Sequence, residues 1–176
     1  MDILSDEPIL KGATKIGFDT CFIFNVAEKN IDIQWLRDYF FPNKSVFYYM
    51  RTVEREFKSL LHRKTSLTPR QINEYWDIIL ETFSLQPIRW SKSIDESLVK
   101  IDEVNKNLAA KRDVSGFSKM LRIGRGDIEI ISAFMNEKLD RIYTSDDGFY
   151  QTCKALNLNV IKVPYLKYLE MKKKES

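Results

Sequence analysis

Histidine and cysteine are nearly absent from this 176-residue chain, which has one histidine, His62, and two cysteines, Cys21 and Cys153. Two cysteines this far apart lack the paired spacing of a zinc site and are too few for a disulfide framework, so a reducing cytoplasm is the expected setting. His62 lies in a basic helical stretch and reads as a surface or phosphate-side residue rather than a proton carrier. Glycine and proline are also scarce, with six and five residues, and no Gly-, Pro- or Ser-rich stretch marks a disordered linker. No run approaches the ~20 apolar residues that span a bilayer. The opening residues, Met1 to Pro8, are acidic where a secretory signal would be basic and then apolar. An excess of one charge is missing too: 28 basic against 25 acidic residues leave +3, so only the distribution of charge can point to a nucleic-acid partner.

What remains is ordinary globular material, 44% apolar and 12% aromatic, enough for one domain over residues 1–165 with a basic tail at 166–176. Basic residues gather at Arg51, Arg55, Lys58, His62, Arg63 and Lys64, again from Lys106 to Arg125, and at Lys172 to Lys174. Such clusters are usually solvated helix faces; a phosphate-contacting groove would need them on one side of a functional pocket.

The apolar pattern predicts a buried strand over Lys15 to Asp19, a helix from Thr20, a second helix over Ile33 to Phe40 ending before Pro42, and a strand from Ser45 to Met50. From Thr52 the spacing of Val53, Phe57, Leu60 and Leu61 is helical. Thr68, Pro69 and Gln71 form a helix start with cap, first-turn proline and capping-box partner. Ile94 to Leu108 predict a further helix ending near Ala110, and Lys111 to Gly126, broken by three glycines, reads as a loop or loose helix and as the best candidate for a mobile element. A helix opened by Asp127, a strand over Arg141 to Thr144, a helix over Gly148 to Leu156 and a strand over Asn159 to Val163 follow. Strands separated by helices imply a three-layer α/β/α domain with a mostly parallel central sheet and an enlarged helical middle.

Asp19 and Asp146 fall just past predicted strands, and the carboxyl ends of parallel strands border the crevice where open α/β sheets bind ligands. Glu54 and Asp127 complete a set of four acidic positions. Grouping carboxylates is unfavourable without a cation, a shared proton or hydrogen bonds, although any one of them is more often a helix cap. On the helix after the second strand, Glu54 borders the apolar face, whereas Glu56 would lie roughly 200° further around and face solvent. A phosphatase of the haloacid-dehalogenase type needs a second Asp two positions after the first, where this chain has Cys21, and a receiver domain needs acidic and Lys positions in an order the chain does not supply.

With these placements the chain resembles the PIN domain family of VapC-like small metal-dependent nucleases. Asp19 and Thr20 match its opening Asp and hydroxyl; Val53 to Phe57 resembles its Glu-bearing helix; Asp127 to Ala133 matches its third motif; and Thr144 to Phe149 matches its Thr-x-Asp-x-x-Phe. The four occur in order over Lys15 to Val163. Departures are Cys21, where Ser or Asn is usual, and a long helical middle from about Leu61 to Arg125.

The resemblance implies an endoribonuclease that hydrolyses RNA with Mg2+ or Mn2+, hard cations suited to oxygen ligands. Asp19, Asp127 and Asp146 would bind metal, with Asp147 as an alternative ligand or a helix cap, and Glu54 would complete the catalytic set. Thr20 would contact substrate; Thr144 and Ser145 read either as orienting a carboxylate or metal-bound water or as satisfying local backbone groups, and Arg125, just before Asp127, reads either as a phosphate contact or as a solvent-facing cation. It further implies a homodimer, and a toxin restrained by a small antitoxin protein. An RNA-processing nuclease without an antitoxin, or an inactive RNA-binding scaffold, are the alternatives.

Overall fold

The computed structural model describes residues 12–113 and 123–175. Five parallel strands form the sheet: β1 (Thr14–Phe18), β2 (Ser45–Tyr49), β3 (Gln86–Pro87), β4 (Arg141–Thr144) and β5 (Val160–Lys162), in spatial order β3-β2-β1-β4-β5. Every pairing is parallel. The two-residue β3 was not anticipated; Pro87 cannot donate to a ladder and is tolerated because β3 is an edge strand.

Among the described residues, eight helices surround the sheet. They are α1 (Thr20–Glu28), α2 (Ile33–Trp35, continued as a π-helical turn over Leu36–Phe40), α3 (Arg51–Lys64), α4 (Pro69–Phe83), α5 (Lys92–Asp113), α6 (Arg125–Glu137), α7 (Asp147–Ala155) and α8 (Tyr165–Lys174). The Thr68 cap is present as predicted: its hydroxyl accepts the Gln71 amide at 3.3 Å and the Gln71 side chain accepts the Thr68 amide at 2.9 Å. Helix α5 runs three residues past Ala110, and α6 begins two residues before Asp127. Residues 114–122 of the expected loose segment lie outside the described residues.

The segment expected as a tail is largely helical. In α8, Tyr168 and Met171 are buried, and the helix is tied to the loop before α2 by Lys172 Nζ donating to the Asn30 carbonyl at 2.6 Å. The Asp32 amide donates to Glu175, just beyond α8, at 2.6 Å.

The core between sheet and helices is aromatic. Phe18, Phe22, Phe41, Phe47, Phe83 and Tyr143 are buried, with ring centroids 5.0 Å apart for Phe41 and Phe47 and 5.1 Å for Phe41 and Tyr143, the edge-to-face spacing aromatic pairs prefer. Gly17 is needed where α6 crosses β1, since a Cβ there would stand 2.5 Å from Leu139 and 2.9 Å from Phe134. The chain moves outward from β1 to β2 and β3 on one side and through β4 to β5 on the other. The crevice between the carboxyl ends of β1 and β4 is therefore the switch point at which such sheets bind ligands.

Candidate active site

Three carboxylates reach this crevice from the starts of three helices. Asp19, the first residue past β1, caps α1 by accepting the Phe22 amide on Oδ1 at 2.8 Å. Its Oδ2 accepts the hydroxyl of Thr144, at the end of β4, at 2.5 Å. Asp146 caps α7 through the Phe149 amide at 2.6 Å, and donates its own amide to Thr144 Oγ1 at 3.0 Å. One buried hydroxyl thus orients both residues. Asp127, in the first turn of α6, accepts the Gly124 amide at 3.3 Å.

A fourth carboxylate comes from the side. Glu56 on α3 accepts the Thr20 hydroxyl at 2.8 Å. Its approach to α6 depends on Gly126, where a Cβ would stand 1.9 Å from Glu56 Oε1. Asp19, Glu56, Asp127 and Asp146 line a single cavity of about 680 Å³, together with Thr20, Cys21, Phe24, Asn25, Arg55, Ser59, Leu60 and Arg63.

Burial dominates the electrostatics. It pushes the Asp19 carboxyl up to about 8, with the charges of Asp127 and Asp146 adding to the rise and the Thr144 and Phe22 hydrogen bonds opposing it. Asp127 is raised to about 7 by burial, then by Glu56 and Asp146, against the pull of the Gly124 amide. Partial positive charge at the three helix starts favours ionisation but is outweighed. Burial, followed by Asp19, also pushes the Cys21 thiol up to about 12, so it is no ready nucleophile. Asn25, one turn along α1, offers its amide to Cys21 Sγ at 3.9 Å, which supplies a polar group beside the position where Ser or Asn was expected.

The donor set suits a hard divalent cation in kind, since it consists of carboxylates whose mutual repulsion such a cation would relieve. It is not closed around a common point: among the described residues, no three His, Cys, Asp or Glu side chains are gathered tightly enough to form a ready cage. Both Asp19 oxygens and one oxygen each of Asp127 and Asp146 are engaged in capping or hydroxyl bonds, which fixes how these carboxylates are oriented along the cavity.

No protein-family model matches the chain, and no curated protein matches it at a significant level. Solved structures do match. A chain in the crystal structure of VapBC2 from Rickettsia felis bound to a DNA fragment from their promoter superposes with a TM-score of 0.60 at 15% identity, over 85% of this chain and 99% of that one. A chain in the structure of VapBC-1 from nontypeable Haemophilus influenzae gives 0.55 at 16% identity, over 85% and 98%. This chain has a PIN-like fold.

The PIN-like fold brings Asp19, Asp127, Asp146 and Thr20 together at the cavity, with Thr144 directly behind. Four other expected positions lie elsewhere. Glu54 does not reach the cavity; its carboxylate pairs with Lys58 one turn along α3 at 2.7 Å. Glu56, expected to face solvent, takes its place because α3 docks between α1 and α6 along the flank bearing Thr52, Glu56, Ser59 and Arg63. Asp147 is ion-paired with Lys162 and exposed, one residue past the cap. Arg125 points away to Glu129 at 3.4 Å, bordering a separate cavity with Leu98 and Asn105. Ser145 hydrogen-bonds the Tyr168 hydroxyl of α8 rather than facing the cavity. Arg55, Ser59, Arg63 and Phe24 were given no individual role; the stripe at four-residue spacing in Arg55, Ser59 and Arg63 was the available signal.

No described helix is long and apolar enough to cross a membrane.

Proposed function

We propose that this PIN-like protein is a divalent-metal-dependent endoribonuclease and the toxin half of a toxin–antitoxin pair. The observation that carries the reading is the convergence of Asp19, Glu56, Asp127 and Asp146 on one cavity at the switch point of a parallel sheet. Asp19, Asp127 and Asp146 would hold Mg2+ or Mn2+, with Glu56 beside them, between Thr20 and Gly126. A bound ion of this kind lowers the pKa of a water and neutralises charge on a phosphodiester. The protein's own part is to keep the carboxylates oriented: Thr144 fixes Asp19 and Asp146, Thr20 fixes Glu56, and the helix starts favour the ionised forms.

The partner assignment is supported by the VapBC composition of both structural neighbours. A small antitoxin that covers the cavity is the expected partner, with a homodimer as the expected assembly and the cytoplasm as the expected location. The test is hydrolysis of an RNA oligonucleotide with Mg2+ or Mn2+ and with chelator. Cleavage that requires metal, and that falls by at least about 100-fold in Asp146→Asn, is expected, since even outer-shell changes at metal sites typically cost 10- to 100-fold. Metal-independent cleavage, or cleavage unaltered in Asp146→Asn, would contradict the reading.

A further inference from the structure

The cavity has an acidic floor and a wall of opposite character. On α3, Arg55, Ser59 and Arg63 follow at four-residue intervals and all line the cavity, about 6 Å of helix rise between successive members. Neither arginine forms an ion pair with Asp19, Glu56, Asp127 or Asp146 among the described residues. Arg55 is steadied from behind by Glu129 on α6, 3.9 Å away, while the Thr52 hydroxyl donates to the same Glu129 oxygen at 2.9 Å. The Arg55 side chain nevertheless stays 73% exposed. Among the described residues, Arg63 makes a 3.4 Å bond from Nε to the Ser59 carbonyl of its own helix and no ion pair.

Two guanidiniums aligned beside a carboxylate pocket, and not spent on it, keep their charge for an outside anion. Guanidinium geometry matches phosphate oxygens. Half-buried Phe24 on α1 and Leu60 on α3 add an apolar strip to the same cavity, and an aromatic face of this kind accepts an unstacked base.

We infer that the α1–α3 wall is the strand-holding subsite: Arg55 and Arg63 take phosphates on either side of the one over the acidic floor, and Phe24 with Leu60 takes an unpaired base between them. The choice of a nucleic-acid ligand rests on the nuclease reading above, but binding and cleavage are separately measurable. Positive charge on this wall also explains how a polyanion approaches four carboxylates.

The test is fluorescence-anisotropy binding of a labelled single-stranded RNA to the Asp146→Asn protein over a range of salt. Arg55→Gln and Arg63→Gln, placed in that background, are each expected to weaken binding by about ten-fold and to reduce the salt slope by about 0.7. Arg70→Gln, an exposed cation on α4 paired with Glu74, should change neither. An abasic oligomer, which keeps the phosphates and lacks the bases, should bind about ten-fold more weakly with its arginine dependence intact. Both arginine variants are at exposed positions, so a melting curve equal to the parent is expected. If the slope is unchanged in both arginine variants, or equally reduced by Arg70→Gln, or if the RNA does not bind, the subsite is refuted. If the abasic oligomer binds as well as the RNA, the base contact falls. Arginine-dependent binding by a wild-type protein that cuts no RNA would support the wall and refute the nuclease reading instead.

Discussion

Thr144 is 0% exposed and its single hydroxyl donates to Asp19 while accepting from the Asp146 amide, so two of the four carboxylates are set by one side chain. Thr144→Val keeps the shape and removes both bonds; on the proposed nuclease reading, RNA hydrolysis should fall about 10- to 100-fold, the usual cost of losing a group that orients a metal ligand. The glutamates separate more sharply. Glu56→Gln is expected to lose at least about 100-fold in the same assay, and Glu54→Gln to remain near wild type, because Glu54 is engaged with Lys58 outside the cavity. The reverse result would restore the role read from the sequence for Glu54. Asp19 and Asp127 ionise near 8 and 7 instead of 3.8, so between these values the folded protein holds protons that the unfolded chain has released. Stability contributed below the unfolded value is then lost as pH rises through the folded one. In chelator, the melting temperature should drop from pH 5 to pH 8.5, and Asp19→Asn should flatten that drop and be the more stable protein at pH 8.5 by more than about 1 kcal/mol. A wild-type melting temperature that rises over this range would contradict the assigned burial of charge.

At the level of elements, the strand-end acids were legible because a parallel strand fixes where its next residue points, whichever helices cover the sheet. The glutamate of α3 was not, since a helix has two flanks beside its apolar stripe and only its docking against α1 and α6 decides which one meets the site. Local chemistry was legible in the Thr68 capping box, where Thr68→Ala should cost about 1 kcal/mol in chemical denaturation. Helix α8 escaped the sequence reading for the opposite reason: only Tyr168 and Met171 are buried along it, too sparse a pattern among lysines to register as an amphipathic helix. Tyr168 is fully buried, with its hydroxyl against Ser145 between Thr144 and Asp146. Tyr168→Ala should destabilise by about 3–5 kcal/mol, as for other large buried aromatics. Tyr168→Phe should cost about 1 kcal/mol. Destabilisation below 1 kcal/mol in the alanine variant would contradict the docking of α8 against the core.

For the molecule as a whole, the order β3-β2-β1-β4-β5 turns residues 127 positions apart, Asp19 and Asp146, into neighbours across one crevice, linked through Thr144. The same order puts α1, α6 and α7 start-first toward that crevice and lays α3 along its side. The acidic floor and the arginine wall therefore come from one packing arrangement, and the solved VapBC chains superpose on it almost over their full length. The central claim is the proposal that Asp19, Asp127 and Asp146 hold a cation together in the cavity that Glu56 also lines. An anomalous-scattering map from manganese-soaked crystals tests it most directly. A peak within coordinating distance of Asp19, Asp127 and Asp146 is the predicted result; manganese bound only elsewhere, or none at this cavity at saturating concentration, would contradict it.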